Sequence, residues 1–213
     1  MFNDLVQHSK APDSLKSPML YETTEINGSI TIDLQDVGKC INSIGIGNTD
    51  GTCFIVNGNR INFAGNGLYM LKTPIDKAPN ITIHTNARHV GRIGAGFAVN
   101  IPTSVAKEPG FHSTSKPRTT LSGQVVPGIG GHNYKTVSLD SRYKIDETVM
   151  NEIKAGSRFI GQGYPFFIDL GDEASKLPFD RMYATERNQM HLSFESGVNY
   201  FLYSRRWEFE ERF

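Results

Sequence analysis

The stretch YFLYSRRWEFEERF, residues 200–213, sets the class of the whole chain. Phe201, Tyr203, Trp207, Phe209 and Phe213 fall on one parity, with Arg205 and Glu211 between them. Leu202, Ser204, Arg206, Glu208, Glu210 and Arg212 fall on the other. Successive side chains of a strand point to opposite faces, so the pattern predicts one long half-buried β-strand reaching Phe213. Chain ends fray unless something ties them down. A terminal aromatic strand is therefore expected inside a sheet, either the chain's own or a neighbour's. Tyr, Trp and Arg are enriched among interface anchors, and Arg stacks on aromatic faces and pairs with Glu. Core and interface aromatics bury area in the same way, so both roles stay open for this face. Such an end suits a building block better than an enzyme.

Upstream, short strands broken by turn residues continue the theme. Residues 1–28 are polar, contain Pro12 and Pro18, and show no sustained period, which predicts an arm or linker ordered against a neighbour. Ile30, Ile32 and Leu34 alternate with Thr31 and Asp33 as a strand. Strands follow over 40–46, 53–56, 60–63, 67–71, 80–85 and 90–99, with turn residues between them. Asn57-Gly58 is a strong hairpin signal. Regular short strands of this kind predict a β-sandwich or jelly roll over 29–99. A second β-rich unit is expected over 100–213. It opens with an irregular Pro-, Gly-, Ser- and Thr-rich arm, 100–133, holding a strand over 118–126. Further strands are expected over 134–143, 164–170, 181–185 and 190–195. The strand over 164–170 is so apolar that both faces should be covered. One short α-helix is expected over about 146–156. Asp146 is its N-cap, Ile145 and Met150 staple its start, Val149, Met150 and Ile153 form its apolar face, and Gly156 ends it. The fold class is thus mainly β.

With 213 residues the chain can bury a substantial core. Its 21 glycines and 10% aromatics fit a β-rich protein with many turns. A formal net charge of zero disfavours a nucleic-acid binder, which neutralises phosphates with a basic surface. No apolar run has the length to cross a bilayer. The start, MFNDLVQHSK, lacks the basic and apolar regions of a signal peptide, so folding in a cytoplasm is expected. Cys40 and Cys53 are then expected as free thiols, with a disulfide left open if adjacent strands bring them together.

Chemical motifs are sparse. The segments Gly45–Gly51 and Gly128–Gly131 lack the helix that a phosphate-binding glycine loop requires. The histidines at 8, 84, 89, 112, 132 and 191 are scattered without metal-ligand spacing. Asp169, Asp172, Glu173 and Asp180 cluster in sequence and could furnish a glycosidase pair, although acids at strand ends are also ordinary turn residues. No Gly-x-Ser-x-Gly elbow is present. No catalytic, metal or cofactor-binding residue is assigned.

Two groups of segments resemble known families. Ile30–Gly58 (ITIDLQDVGKCINSIGIGNTDGTCFIVNG), with Asn66–Leu71 (NGLYML) and His89–Gly96 (HVGRIGAG), resembles the galactose-binding-like jelly rolls of bacteriophage tail proteins. Pro109–Gly131 (PGFHSTSKPRTTLSGQVVPGIGG), Tyr164–Thr185 (YPFFIDLGDEASKLPFDRMYAT) and Val198–Phe213 (VNYFLYSRRWEFEERF) resemble the C-terminal part of phage tail-tip and baseplate structural proteins, including distal-tail-like proteins. The resemblance implies a β-sandwich joined to a second β-rich unit with a helix, multi-copy assembly at a tail tip or baseplate, and a virion location. Its implied partners are copies of the chain itself and other tail proteins, with a host glycan as a possible ligand. The loops at Asn48–Gly51 and Asn57–Asn59 offer few aromatics and a single carboxylate, Asp50, so no sugar or calcium ligand is carried over. The expected interface residues are Phe201, Tyr203, Trp207, Phe209 and Phe213, with Arg205 and Arg206 setting register. A carbohydrate-binding module and a glycan hydrolase are the alternatives.

Overall fold

The computed structural model describes residues 2–4, 6, 9–34, 40–76, 78–100, 108–113, 118–119, 121–122, 124–126, 133–140, 147–160, 165–170, 181–187, 193–197, 200–204 and 206–212. Nine strands build the first unit: β1 (Phe2–Asp4), β2 (Thr24–Glu25), β3 (Ser29–Asp33), β4 (Ile41–Thr49), β5 (Cys53–Val56), β6 (Asn59–Asn62), β7 (Gly67–Ile75), β8 (Asn80–Thr85) and β9 (His89–Ala98). One sheet has the order β1-β9-β4-β7, with β2 also on β9, and the other has the order β3-β8-β5-β6. All pairs are antiparallel. Ile44, Ile46, Tyr69, Val90, Ile93 and Ala95 from the first sheet share one core with Ile32, Phe54, Val56, Ile61, Ile81 and Ile83 from the second. This is a two-sheet sandwich. The β5–β6 turn is the tight one expected: Asn57 and Gly58 take φ of 43° and 85°, the left-handed pair that a two-residue hairpin needs.

Residues 1–28 do not form a separate arm. β1 and β2 extend the sandwich on β9, the one-turn helix α1 (Asp13–Lys16) lies beside β9, and Val6, Leu15, Leu20 and Ile26 are buried. Their spacing follows neither a helix nor a strand period, so their burial left no pattern to read. Arg92, 1% exposed, ties this segment down by donating from Nη1 to the Ser17 carbonyl at 3.3 Å.

The second unit comprises β10 (Glu108–Ser113), β11 (Arg118–Thr119), β12 (Val125–Val126), β13 (Asn133–Asp140), the helix α2 (Glu147–Ile160), β14 (Phe166–Asp169), β15 (Arg181–Glu186), β16 (Ser193–Gly197), β17 (Tyr200–Ser204) and β18 (Arg206–Glu211). A five-stranded sheet has the order β10-β13-β18-β15-β14. Its apolar face carries Val137, Leu139, Phe166, Ile168, Met182, Ala184, Trp207 and Phe209, and is covered by Met150 and Ile153 of α2. Val149 packs beside them, completing the apolar face expected for the helix. The helix does not stop at Gly156 but runs on to Ile160. A helical glycine costs about 1 kcal/mol relative to alanine, less than burial of an apolar face returns. Asp146 and Ile145 lie outside the described residues. The strand expected over 118–126 is instead the short antiparallel pair β11–β12. Part of the expected 100–133 arm, β10, is a regular edge strand of the chain's own sheet.

The two units meet through one face of the sandwich. Ile44 and Ile46 point into the sandwich core, so Gly45 and Gly47 point away from it. Gly45 stands opposite Gly94 on β9 and Leu68 on β7. A Cβ on Gly45 would lie 2.0 Å from the Phe167 ring. Phe167 and Tyr183 form a second small core with Leu20 and Leu68 across this boundary, their rings 4.8 Å apart. β14 is therefore buried on both faces, as its composition predicted: Phe166 and Ile168 face α2's core, and Phe167 faces the sandwich. We expect Gly45→Ala to destabilise the protein by about 1–3 kcal/mol, the usual cost of overpacking. The check is urea denaturation of wild type, Gly45→Ala, and Gly45→Ala combined with Phe167→Leu. A double variant no more stable than the single one would contradict the ring clash as the cause.

Candidate interaction surfaces

The expected interface residues separate into two groups. The terminal segment is not one strand: β17 pairs only with β16, while β18 lies between β13 and β15. Alternation along 200–213 identified the faces, but it carries no information on which strand lies beside which. Trp207 is 2% exposed and Phe209 is 6% exposed, both inside the chain's own core. They stand opposite Leu139 and Val137, and Phe209 meets Phe166 edge-on at 5.8 Å. Both edges of β18 carry ladder partners from the same chain, 206–210 on the β13 side and 209–211 on the β15 side. Arg212 N donates to the Tyr183 carbonyl and Arg187 N to the Glu208 carbonyl, extending the β15–β18 pairing beyond the ladder. Glu210 receives Arg187 at 3.0 Å and Arg212 at 3.6 Å. Arg206 is the ladder partner of Asp140. Arg205 and Phe213 lie outside the described residues.

Phe201 and Tyr203 belong to the β16–β17 hairpin. Phe194 is the ladder partner of Tyr203, and Ser196 of Phe201. Positions 194, 196, 201 and 203 thus share one face of a two-stranded ladder. Among the described residues this hairpin joins none of the larger sheets, and it runs beside α2.

The residues weighed for chemistry are in structural roles. Asp169, the hydrolase candidate at the end of β14, pairs with Arg181 at 3.5 Å. Arg181 Nε also donates to the Leu68 carbonyl at 3.0 Å, and its guanidinium lies 4.6 Å from the Tyr69 ring centre. Burial raises the Tyr69 phenol above its ordinary value, and its hydroxyl accepts from Ala64 N and donates to the Gly65 carbonyl. Together Asp169, Arg181 and Tyr69 pin the second unit to the sandwich. Asp172, Glu173 and Asp180 lie outside the described residues. Sequence reasoning missed this boundary. Its signal was present as glycines two apart, 45 and 47 on β4 and 94 and 96 on β9, where a strand face loses its side chains.

Among the described residues no group of three or more His, Cys, Asp or Glu is placed to hold a metal ion. Cys40 and Cys53 are free and half-buried. His112 stacks on Tyr134, and His84 is exposed on β8. Tyr21, 70% exposed, is the one exposed Phe, Tyr or Trp among the residues whose burial is described. Among the described residues no helix is long and apolar enough to cross a membrane.

Asp50 braces a loop. Its Oδ1 accepts from the amides of His89 at 3.0 Å and Arg88 at 2.9 Å, and its Oδ2 lies 3.4 Å from His89 Nδ1. The His89 amide is the chief cause holding its carboxyl below the ordinary value of 3.8, against a smaller opposing effect of desolvation. A depressed carboxylate adds stability that is complete above its unfolded pKa and is lost as pH falls through the folded one. Asp50→Asn should therefore be less stable than wild type at neutral pH, with the gap closing on acidification. Urea midpoints across that range test this, and a gap that widens in acid would be the contrary result.

Compared with known proteins, the chain matches no family model, no curated protein and no solved structure.

The buried position of Trp207 also fixes its expected behaviour. Trp207→Ala should cost about 3–5 kcal/mol as loss of a core aromatic, read as a lower denaturation midpoint of the monomeric fold. A change in assembly with no loss of stability would place the ring at an interface instead.

Proposed function

We propose that this chain is a structural subunit of a bacteriophage virion, at the tail tip or baseplate, which assembles in several copies through β-rich interfaces. The resemblance of Ile30–Gly58 and of the segments from Pro109 onward to phage tail proteins supplies the biological setting. The observation that carries the assembly mechanism is the β16–β17 hairpin, a two-stranded ladder outside all three larger sheets. A lone two-stranded hairpin is marginal in water and needs something to pack on. Phe194, Phe201 and Tyr203 occupy one of its faces by register, and aromatics of this kind are what interface anchors are made of. The mechanism is then burial of an aromatic hairpin face against a neighbouring subunit. The partners are copies of the chain and other tail proteins, and the location is the particle, reached by assembly in the host cytoplasm. The reading assigns no catalytic role and no cofactor.

The test is light scattering on the full chain and on a Phe201→Ser, Tyr203→Ser double variant. We expect a discrete multimer from the former and a folded monomer from the latter. A full chain that is monomeric at every concentration, or a double variant that still assembles, would overturn the hairpin as the self-association element.

A further inference from the structure

The chain contains three Asn-Gly pairs, at Asn27-Gly28, Asn57-Gly58 and Asn66-Gly67. We propose that Asn27-Gly28 is a spontaneous deamidation site, the one pair of the three that the fold leaves free to react. Asparagine side chains are thermally labile, and a following glycine has no Cβ to shield its nitrogen. In the reaction the Gly28 backbone nitrogen attacks Asn27 Cγ. The new N–C bond closes a succinimide ring, the bond from Cγ to the side-chain nitrogen breaks, and ammonia leaves with the Gly28 proton. Water then opens the ring at either carbonyl. One route gives aspartate, and the other gives isoaspartate, with the main chain lengthened through the side-chain carbon. No oxidant, metal or enzyme is required.

The fold treats the three pairs differently. Asn57 Oδ1 accepts from Thr82 N at 3.0 Å, and Asn57 N donates to the Thr82 carbonyl at 3.2 Å. Its side-chain amide is thus tied to β8. Asn66 Oδ1 accepts from Asn48 N at 2.8 Å. Gly67 is a ladder partner of Ile46, and Arg181 lies so close that a Cβ on Gly67 would fall 2.3 Å from the Arg181 Cβ. Both pairs must open locally before their rings can close. Asn27 is exposed, and its side chain makes no hydrogen bond among the described residues. Gly28 is exposed too, with φ of 79° and open space around its α-carbon. Its nitrogen makes no hydrogen bond, while its carbonyl accepts from Thr85 N at 2.9 Å.

The site lies where the chain passes from β2 in one sheet to β3 in the other. Ile26 N donates to the Arg88 carbonyl at 2.8 Å just before it, and the Thr85 bond follows just after. Conversion puts a carboxylate into this link, and the isoaspartate form also lengthens the main chain between two fixed hydrogen bonds. Asn27-Gly28 thereby becomes a built-in ageing point at a corner of the sandwich.

The three pairs fall on three different tryptic peptides, 17–39, 40–60 and 61–72, because cleavage follows Lys16, Lys39, Arg60 and Lys72. The purified full chain is incubated warm at mildly alkaline pH, in parallel with a sample held unfolded in urea, then digested and weighed by mass spectrometry. In urea all three peptides should convert at comparable rates. In the folded sample conversion should be confined to 17–39, proceed there at the unfolded rate, and be slowed at least about tenfold in the other two by the need for local opening. Folded-state conversion at Asn57 or Asn66 as fast as at Asn27, or protection of Asn27 relative to the unfolded sample, would overturn the proposal.

Discussion

The architecture depends on a strand face with its side chains removed. Sheets pack about 10 Å apart when ordinary side chains interdigitate. On the outward face of β4 that spacing collapses at Gly45, where the Phe167 ring occupies the space a Cβ would take. The ring is itself part of β14, which buries Phe166 and Ile168 on its other face. One four-residue strand therefore belongs to two cores at once. Any change that lifts Phe167 off the glycines also disturbs the seat of α2 and the pairing of β14 with β15. Arg181 adds a polar clamp beside the aromatic one, reaching the Leu68 carbonyl and the Tyr69 ring from β15. Interiors are close-packed and respond to small volume changes, so the two units are coupled through this contact.

The same economy of strand edges appears in the asparagines. Asn59 donates from Nδ2 to the Thr73 carbonyl and accepts from Thr73 N, imitating a ladder partner at the edge of β7. Asn42 does the same for Ala98 at the end of β9. Asn86 accepts from the amides of both Thr52 and Cys53. Backbone groups left unpaired at a sheet edge invite pairing with another chain. These amides answer that demand within the molecule, and they do so at the sandwich.

What the sequence revealed and what it hid divide along a physical line. Strand positions in the sandwich follow from alternation and turn chemistry, which are local, and the β5–β6 turn, the two-sided burial of β14 and the apolar face of α2 were all readable. Partner identity is not local. The chain crosses from one sheet to the other at β2–β3, β3–β4, β4–β5, β6–β7, β7–β8 and β8–β9, and nothing within a strand records which sheet it joins. The same blindness made Tyr200–Phe213 look like a single strand, although its halves pair in different sheets. Residues 1–28 were misread because Val6, Leu15, Leu20 and Ile26 are buried singly, without a period. Gly156 was misread because a propensity of about 1 kcal/mol is small against tertiary burial.

The division of the terminal segment also changes where an assembly contact can lie. A strand can add to a sheet only where an edge is open. β18 is the centre of its sheet, and its aromatic face is covered by α2 from the same chain. Its contribution to any assembly is indirect, as the rigid element from which the β16–β17 hairpin departs. A hairpin held at its base by a core strand is positioned at little entropic cost, which is how preorganised elements gain affinity. Trp207 and Phe209 anchor the chain's own core, whereas Phe201, six residues before Trp207, belongs by register to the separate β16–β17 ladder.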